Sequence, residues 1–275
     1  MTGKITRGDM MTQVDTKREH TSYSQISTYR ECPRKWAFRY VYKLERERLA
    51  QAMVFGGAIH RTLARIYAKK MLSNQPMTLE EVSDHFVDDW DQAIDDAEIA
   101  IDYGLTDRDS LQAKGLGMLA EFAKLPMVLE VVGVEKEFRA DLFDPVTGEL
   151  MDKQLLGYID ALVMVGGDLV VHEHKTGSRK WQQGRIDHDL QASVYQWATN
   201  AKRVTFNVLM KTKEPRVDCY QTTRSKEQLD EALLVMVNAL KQQQAGFFEA
   251  RRVGEYGWHC GRCEFAQQCA SRGPI

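Results

Sequence analysis

Two carboxylates and a lysine fall on what reads as one hairpin. Gly166-Gly167 separates two apolar, partly alternating runs, which is the signal of a two-residue turn. With those glycines as the turn, Val165 pairs with Asp168, and counting outward brings Asp160 opposite Glu173. Lys175, two residues on, projects from the face of Glu173. Directly opposed residues hold their Cβ atoms about 4.5–5.5 Å apart, and like charges there destabilise a sheet. Facing acids in a Val- and Leu-rich hairpin need a cation. A divalent metal is one solution, since hard cations take carboxylate oxygens; Lys175 would then hold a water nucleophile or offset charge on a phosphate. A plain salt bridge from Lys175 is the other.

Further residues could join that chemistry. His60 follows Ile59 at the edge of a helix stripe made by Ile59, Leu63, Ile66 and Tyr67. Gln191 and Tyr195 lie one turn apart and share a helix face. His172 and His174 point away from Glu173 and read as structural. Cys260, Cys263 and Cys269 form a compact C-x2-C-x5-C cluster, with Cys32 far upstream and Cys219 within an expected strand, where it reads as a small buried hydrophobe. Clustered cysteines without a sign of secretion argue for metal rather than disulfides. Four thiolates can hold zinc or an iron–sulfur cluster, and free thiols remain the third reading.

The elements that must position these residues follow from pattern. Residues 1–20 lack periodicity and read as an arm. Ser24 is expected to cap a short helix that ends before Pro33, and a second helix runs to Lys43. Gly56 and Gly57 are expected ahead of the next helix. Ten acidic residues and no Lys or Arg occupy 78–102, a helix with Phe86, Trp90, Ile94 and Ala97 on its inner face. Another helix covers 108–124. Strands are expected at 131–142, 150–165 and 168–175, a helix at 187–201, strands at 204–211 and 216–222, and a closing helix at 226–243.

The 275-residue chain is 43% hydrophobic, so it can bury a core without disulfide staples, and whole-chain disorder and coiled coil are excluded. No apolar run approaches a membrane span and the polar start is no signal peptide, so a cytoplasmic location is expected, in a bacterial cell or in the host if phage-encoded. The net charge of −2 hides an asymmetry, because the acidic helix leaves the remainder positive. Arg30, Arg34, Lys35 and Arg39, interleaved with Trp36, Phe38 and Tyr40, suit a phosphate backbone with unstacked bases as well as they suit a solvated helix face.

In combination these motifs resemble a family. Asp160 with Glu173-His174-Lys175 is similar to the D…(D/E)xK signature of the PD-(D/E)XK nuclease superfamily, although Ile159 stands where its name has proline. Gly157 before the aspartate and Thr176-Gly177 after the lysine resemble the RecB-like exonuclease branch. So do Gly56-Gly57-Ala58-Ile59-His60, Gln191-Ala192-Ser193-Val194-Tyr195, and the opening from Ser24 to Tyr40 with Cys32-Pro33-Arg34.

The resemblance runs from Ser24 to Cys269 and implies an α/β fold. Its core is a mixed central sheet flanked by helices, with a helical N-terminal insertion (about 21–128), a nuclease core (about 129–247) and a cysteine-rich C-terminal segment (248–275) in one domain. It implies Mg2+ or Mn2+ held by His60, Asp160, Glu173 and the His174 backbone carbonyl, with Lys175 acting on water. Gln191 and Tyr195 would position the DNA strand near the metals. As in AddB-type, CRISPR-associated and phage relatives, it implies a [4Fe–4S] cluster on Cys32, Cys260, Cys263 and Cys269. The expected activity is exonucleolytic cleavage of DNA, single-stranded more than duplex, with a place in recombination or CRISPR adaptation and a protein partner there. The rival is a catalytically idle DNA-binding or scaffold subunit; a sequence-specific endonuclease lacks an evident recognition domain.

Overall fold

A computed structural model of the chain describes residues 19–126, 130–251, 260 and 263–271. In chain order its elements begin β1 (His20–Thr21), α1 (Tyr23–Glu31), α2 (Pro33–Tyr40), β2 (Leu49–Ala50), α3 (Gln51–Ser73), α4 (Leu79–Asp95), β3 (Ile101–Asp102) and α5 (Arg108–Ala123). They continue β4 (Glu130–Phe143), β5 (Leu150–Val165), β6 (Asp168–Gly177), α6 (Gln183–Asp187), α7 (Leu190–Thr199), β7 (Arg203–Met210), β8 (Arg216–Thr222), α8 (Lys226–Gln244) and α9 (Ala266–Ser271). No helix among the described residues is long and apolar enough to cross a membrane. The chain forms two compact units, Met1–Glu47 with Glu137–Gly157 and Ser225–Ile275, and Arg48–Lys136 with Tyr158–Arg224. Most of the expected arm, residues 1–18, lies outside the described residues.

In the first unit, His20 and Thr21 pair parallel with Gln154 and Leu155 of β5. Ser22, not Ser24, caps α1: its side chain accepts from the Gln25 N–H at 3.2 Å, because Ser22 is the last extended residue and Ser24 is already helical. Cys32 separates α1 from α2, and Pro33 opens α2 where its missing N–H costs nothing. Trp36 packs on Tyr29 and Phe248, and Phe38 on Phe265. Gly157 meets the ring of Phe138, and a Cβ there would lie 2.5 Å from two of its carbons. The glycine three residues before Asp160 is therefore a packing requirement.

In the second unit the hairpin forms as its glycines dictate. Gly166 (φ 60°) and Gly167 (φ 87°) both adopt the left-handed conformation of a tight turn. The register runs from Val165–Asp168 to Ala161–His172 as the turn requires. β6 pairs parallel with β7, and β7 antiparallel with β8, so the sheet is mixed and flanked by helices. α3 starts earlier than the glycine pair suggests: Val54 and Phe55 extend the buried stripe upstream, placing Gly56 and Gly57 inside the helix. α4 opens on a capping box of Thr78 and Glu81 and buries Phe86 and Trp90 completely. Its acidic face is partly neutralised, Glu81 by Lys69 at 2.6 Å and Asp91 by Arg108 at 2.7 Å.

The helix expected over 187–201 begins later, as α7 at Leu190, and a separate short helix, α6, ends at Asp187 just before it. Asp189 caps α7 through the Ala192 N–H, and the buried Arg224 donates to the carbonyls of Ile186 and Asp189, fixing the break. Cys219 is exposed rather than buried, because it lies on β8, which among the described residues pairs only with β7; its thiol meets Asn207 Oδ1 at 3.3 Å.

Gly157→Ala is expected to destabilise the protein by about 1–3 kcal/mol, the usual cost of overpacking. Phe138→Ala in the same chain should recover part of that stability, read as a non-additive pair of thermal midpoints.

Candidate active site

Pairing of β5 with β6 ends one step short of Asp160 and Glu173. The Asp160 carboxylate instead accepts the backbone N–H of His174 on Oδ2 at 2.7 Å. Its other oxygen lies 3.2 Å from His60 Nδ1 on α3. Strand alternation sends the neighbours of Glu173 the other way. His172 bonds the Tyr67 hydroxyl at 2.9 Å, and the His174 ring packs against Tyr67 and Phe122. Both rings thus lie on the side of the strand away from Glu173, where their positions put them.

Glu173 is 2% exposed and faces α7. Its Oε1 accepts from Lys175 Nζ at 2.5 Å and from Gln191 Nε2 at 2.8 Å. Gln191 also donates to the Tyr195 hydroxyl, which donates in turn to the carbonyl of Tyr158, two residues before Asp160. Gln191 and Tyr195 are both buried. Together they tie the carboxylate on β6 to the strand that carries Asp160.

Burial opposes charge at every one of these groups, and the neighbours decide the outcome. Glu173 is pushed up to about 7 by burial, with Asp160 adding and Lys175 opposing. Burial would raise Asp160 too, but the bond and charge of His60, with His174, carry it down to about 2. Burial lowers His60, yet its contact with Asp160 and the charge of Glu173 raise it on balance. His174, buried beyond compensation, falls to about 3 and is a neutral ring.

His60 and Asp160 open into a cavity of about 480 Å3, lined also by Arg61, Ala64, Arg65 and Glu135. Glu135 escaped the sequence reading. It sits on β4 with a left-handed φ of 45°, unusual for a non-glycine residue, and no pattern of residue types announces that conformation. Burial and the charge of Asp160 raise its pKa.

Among the described residues, no three His, Cys, Asp or Glu side chains converge closely enough to hold a metal ion as they stand. The donor set nonetheless fits a hard cation. Glu173 Oε2 is buried and has no hydrogen-bond partner. An orphaned carboxylate oxygen is costly unless something charged satisfies it.

In the first unit, Cys32, Cys260, Cys263 and Cys269 line one cavity of about 420 Å3 with Arg34, Lys35, Phe38 and Phe265. Cys32, more than half the chain away from the other three, thus lines the same cavity as the C-terminal cysteines. Arg34 is buried there, and Lys35 pairs with Glu31 and Glu264. Arg30 is exposed, and Arg39 lies over the ring of Tyr40.

The two carboxylates should behave oppositely in metal-free protein. Glu173 is raised above its unfolded value, so the stability it contributes is present below the usual glutamate range and lost as pH rises through about 7. Glu173→Gln should flatten that dependence, worth up to about 3 kcal/mol. Asp160 is depressed, so its contribution is present above the usual aspartate range and lost as pH falls toward 2. Asp160→Asn should therefore cost stability at neutral pH. Urea denaturation in chelator from about pH 2, where Asp160 titrates, to about pH 8, beyond neutrality, checks both.

The model of the PD-(D/E)XK nuclease superfamily matches residues 20–270. No curated protein matches the sequence. Among solved structures, a Eubacterium rectale protein named "Putative exonuclease" is 14% identical, with a TM-score of 0.51, covering 97% of this chain and 94% of its own. The crystal structure of SSO0001 is 15% identical with a TM-score of 0.39, over 91% of this chain and 99% of that one. At such identity the first of these speaks for the fold alone. The family match spans the hairpin carboxylates, Lys175, His60, and the Gln191–Tyr195 pair, and it covers nearly all of the described residues: this chain belongs to the PD-(D/E)XK nuclease superfamily.

Proposed function

We propose that the protein is a Mg2+- or Mn2+-dependent exonuclease acting on DNA, with single-stranded ends as its preferred substrate. One observation carries the reading: a buried Glu173 whose two oxygens are treated differently, one held by Lys175 and Gln191, the other buried without a hydrogen-bond partner, while the charges of Asp160 and His60 act on the same carboxylate. A scaffold subunit has no use for an acid kept at such cost. His60, Asp160, Glu173 and the backbone carbonyl of His174 would hold the metal, which when bound supplies a Lewis acid for the phosphate and a more acidic water. An imidazole among carboxylates suits Mn2+ as well as Mg2+. Lys175 holds or orients the attacking water and offsets charge developing on the phosphate. Gln191 and Tyr195 fix the Glu173 carboxylate, so one of its oxygens stays aimed while the other remains available. The preference for single strands rests on the aromatic and basic composition around Arg30 and Arg39. The likeness to a protein named as an exonuclease agrees with the activity, and a role in recombination or CRISPR adaptation is the corresponding biological setting.

A [4Fe–4S] cluster on Cys32, Cys260, Cys263 and Cys269 is part of the same reading. What supports it is a single cavity lined by all four cysteines together with Arg34 and Lys35. The cluster would staple the N-terminal helices to the C-terminal segment.

Two measurements test these statements. End-labelled single strands and duplexes are incubated with Mn2+; Lys175→Ala should lose turnover by at least about 100-fold while binding Mn2+ normally, since general acid–base and electrostatic contributions are of that size. Normal turnover at saturating metal with collapsed metal affinity would reverse the role of Lys175. Protein purified without oxygen should be brown, with about four irons and four sulfides per chain. Cys32→Ser should lose the colour and Cys219→Ser keep it; a colourless zinc protein would remove the cluster and leave the nuclease reading intact.

A further inference from the structure

The cavity beside His60 and Asp160 has a second, cationic wall. His60 with Ala64, and Arg61 with Arg65, are stacked one turn apart in two adjacent rows along α3, and all four line it. Both guanidinium groups turn to one acid. Arg65 Nη2 donates to Asp89 Oδ1 at 3.1 Å, and Arg61 Nη2 to the Asp89 carbonyl at 2.7 Å. Asp89 is itself 3% exposed, with Thr62 donating to its other oxygen at 2.9 Å. A buried carboxylate that fixes two arginines holds them in place, yet one negative charge cannot neutralise two positive ones. The arginine side chains stay open to solvent, 43% and 50% exposed. Each guanidinium carries five N–H donors in a fork that fits phosphate, and the bonds to Asp89 occupy a minority of them. An ordinary surface ion pair would need neither a buried anchor nor a place beside the acids.

We propose that Arg61 and Arg65 clamp a backbone phosphate of the DNA strand adjacent to the one being cleaved, with Asp89 as their positioning residue. The inference rests on the nuclease reading and adds the group that sets the strand's place along the cavity. Because the clamp grips a phosphate that does not react, it contributes equally to the ground and transition states, and it should govern KM more than kcat.

The test uses the full chain in an Arg61→Gln/Arg65→Gln double variant. Binding of a fluorescent oligothymidylate is titrated against salt in a Glu173→Gln background with Mn2+, and KM and kcat are measured with Glu173 intact. The double variant should bind at least about 10-fold more weakly, with the slope of log affinity against log salt shallower by about 0.7 for each phosphate no longer neutralised. KM should rise by a similar factor while kcat changes little. Arg61→Lys/Arg65→Lys should restore the salt slope, and Asp89→Asn should weaken binding with the slope kept, since both charges remain. Unchanged affinity, slope and KM, in a protein that still cleaves DNA, would overturn the clamp alone, whatever happens to the melting temperature. A parent protein that neither binds nor cleaves DNA would overturn the nuclease reading and the clamp with it.

Discussion

Everything at the site depends on keeping one carboxylate, Glu173, out of water. In bulk solvent a glutamate beside a lysine is unremarkable, and the pair is worth little. On β6, with α7 above and the sheet around it, the same carboxylate is starved of solvation, and each neighbour becomes consequential. Lys175 offsets its charge, Gln191 fixes its orientation, Tyr195 fixes Gln191, and the carbonyl of Tyr158 fixes Tyr195. The chain of bonds returns to the strand of Asp160, so the two acids are located by one network rather than by two independent rotamers.

The opposite treatment of Asp160 follows from the same geometry. Where strand pairing stops, the backbone N–H of His174 needs an acceptor, and the aspartate side chain provides it. That bond and His60 make ionised Asp160 comfortable, while Glu173 is left uncomfortable. Two interacting acids with diverging proton affinities are a common arrangement where chemistry is done. Asp160 supports the metal-free fold, and Glu173 strains it.

Much of this was legible in the sequence because it obeys local rules. Gly166-Gly167 admits one turn, the turn admits one register, and alternation then separates Glu173 and Lys175 from His172 and His174. Helix α5 and strands β5 and β8 follow their hydrophobic patterns almost to the residue. Other features were not readable. The start of α3 depends on Val54 and Phe55 finding a core, which a glycine pair conceals. The split between α6 and α7 is imposed by Arg224, a residue remote in sequence. Glu135 enters the cavity through a backbone conformation that its side chain does not favour, and Cys219 is exposed because of its strand's place at a sheet margin. Tertiary context decides such cases.

The tight turn also limits how this hairpin can change over time. Successive residues of a strand face opposite sides, so removing or adding a single residue between Asp160 and Glu173 would turn an acid toward Tyr67 and Phe122 and bring a histidine out in its place. Residues can be added or removed there only in pairs, one on each strand, which lengthens the ribbon without rotating it. The interval between the two acids is in that sense quantised: descendants of this chain can vary the hairpin's length in even steps, and odd steps survive only where a bulge absorbs the extra residue.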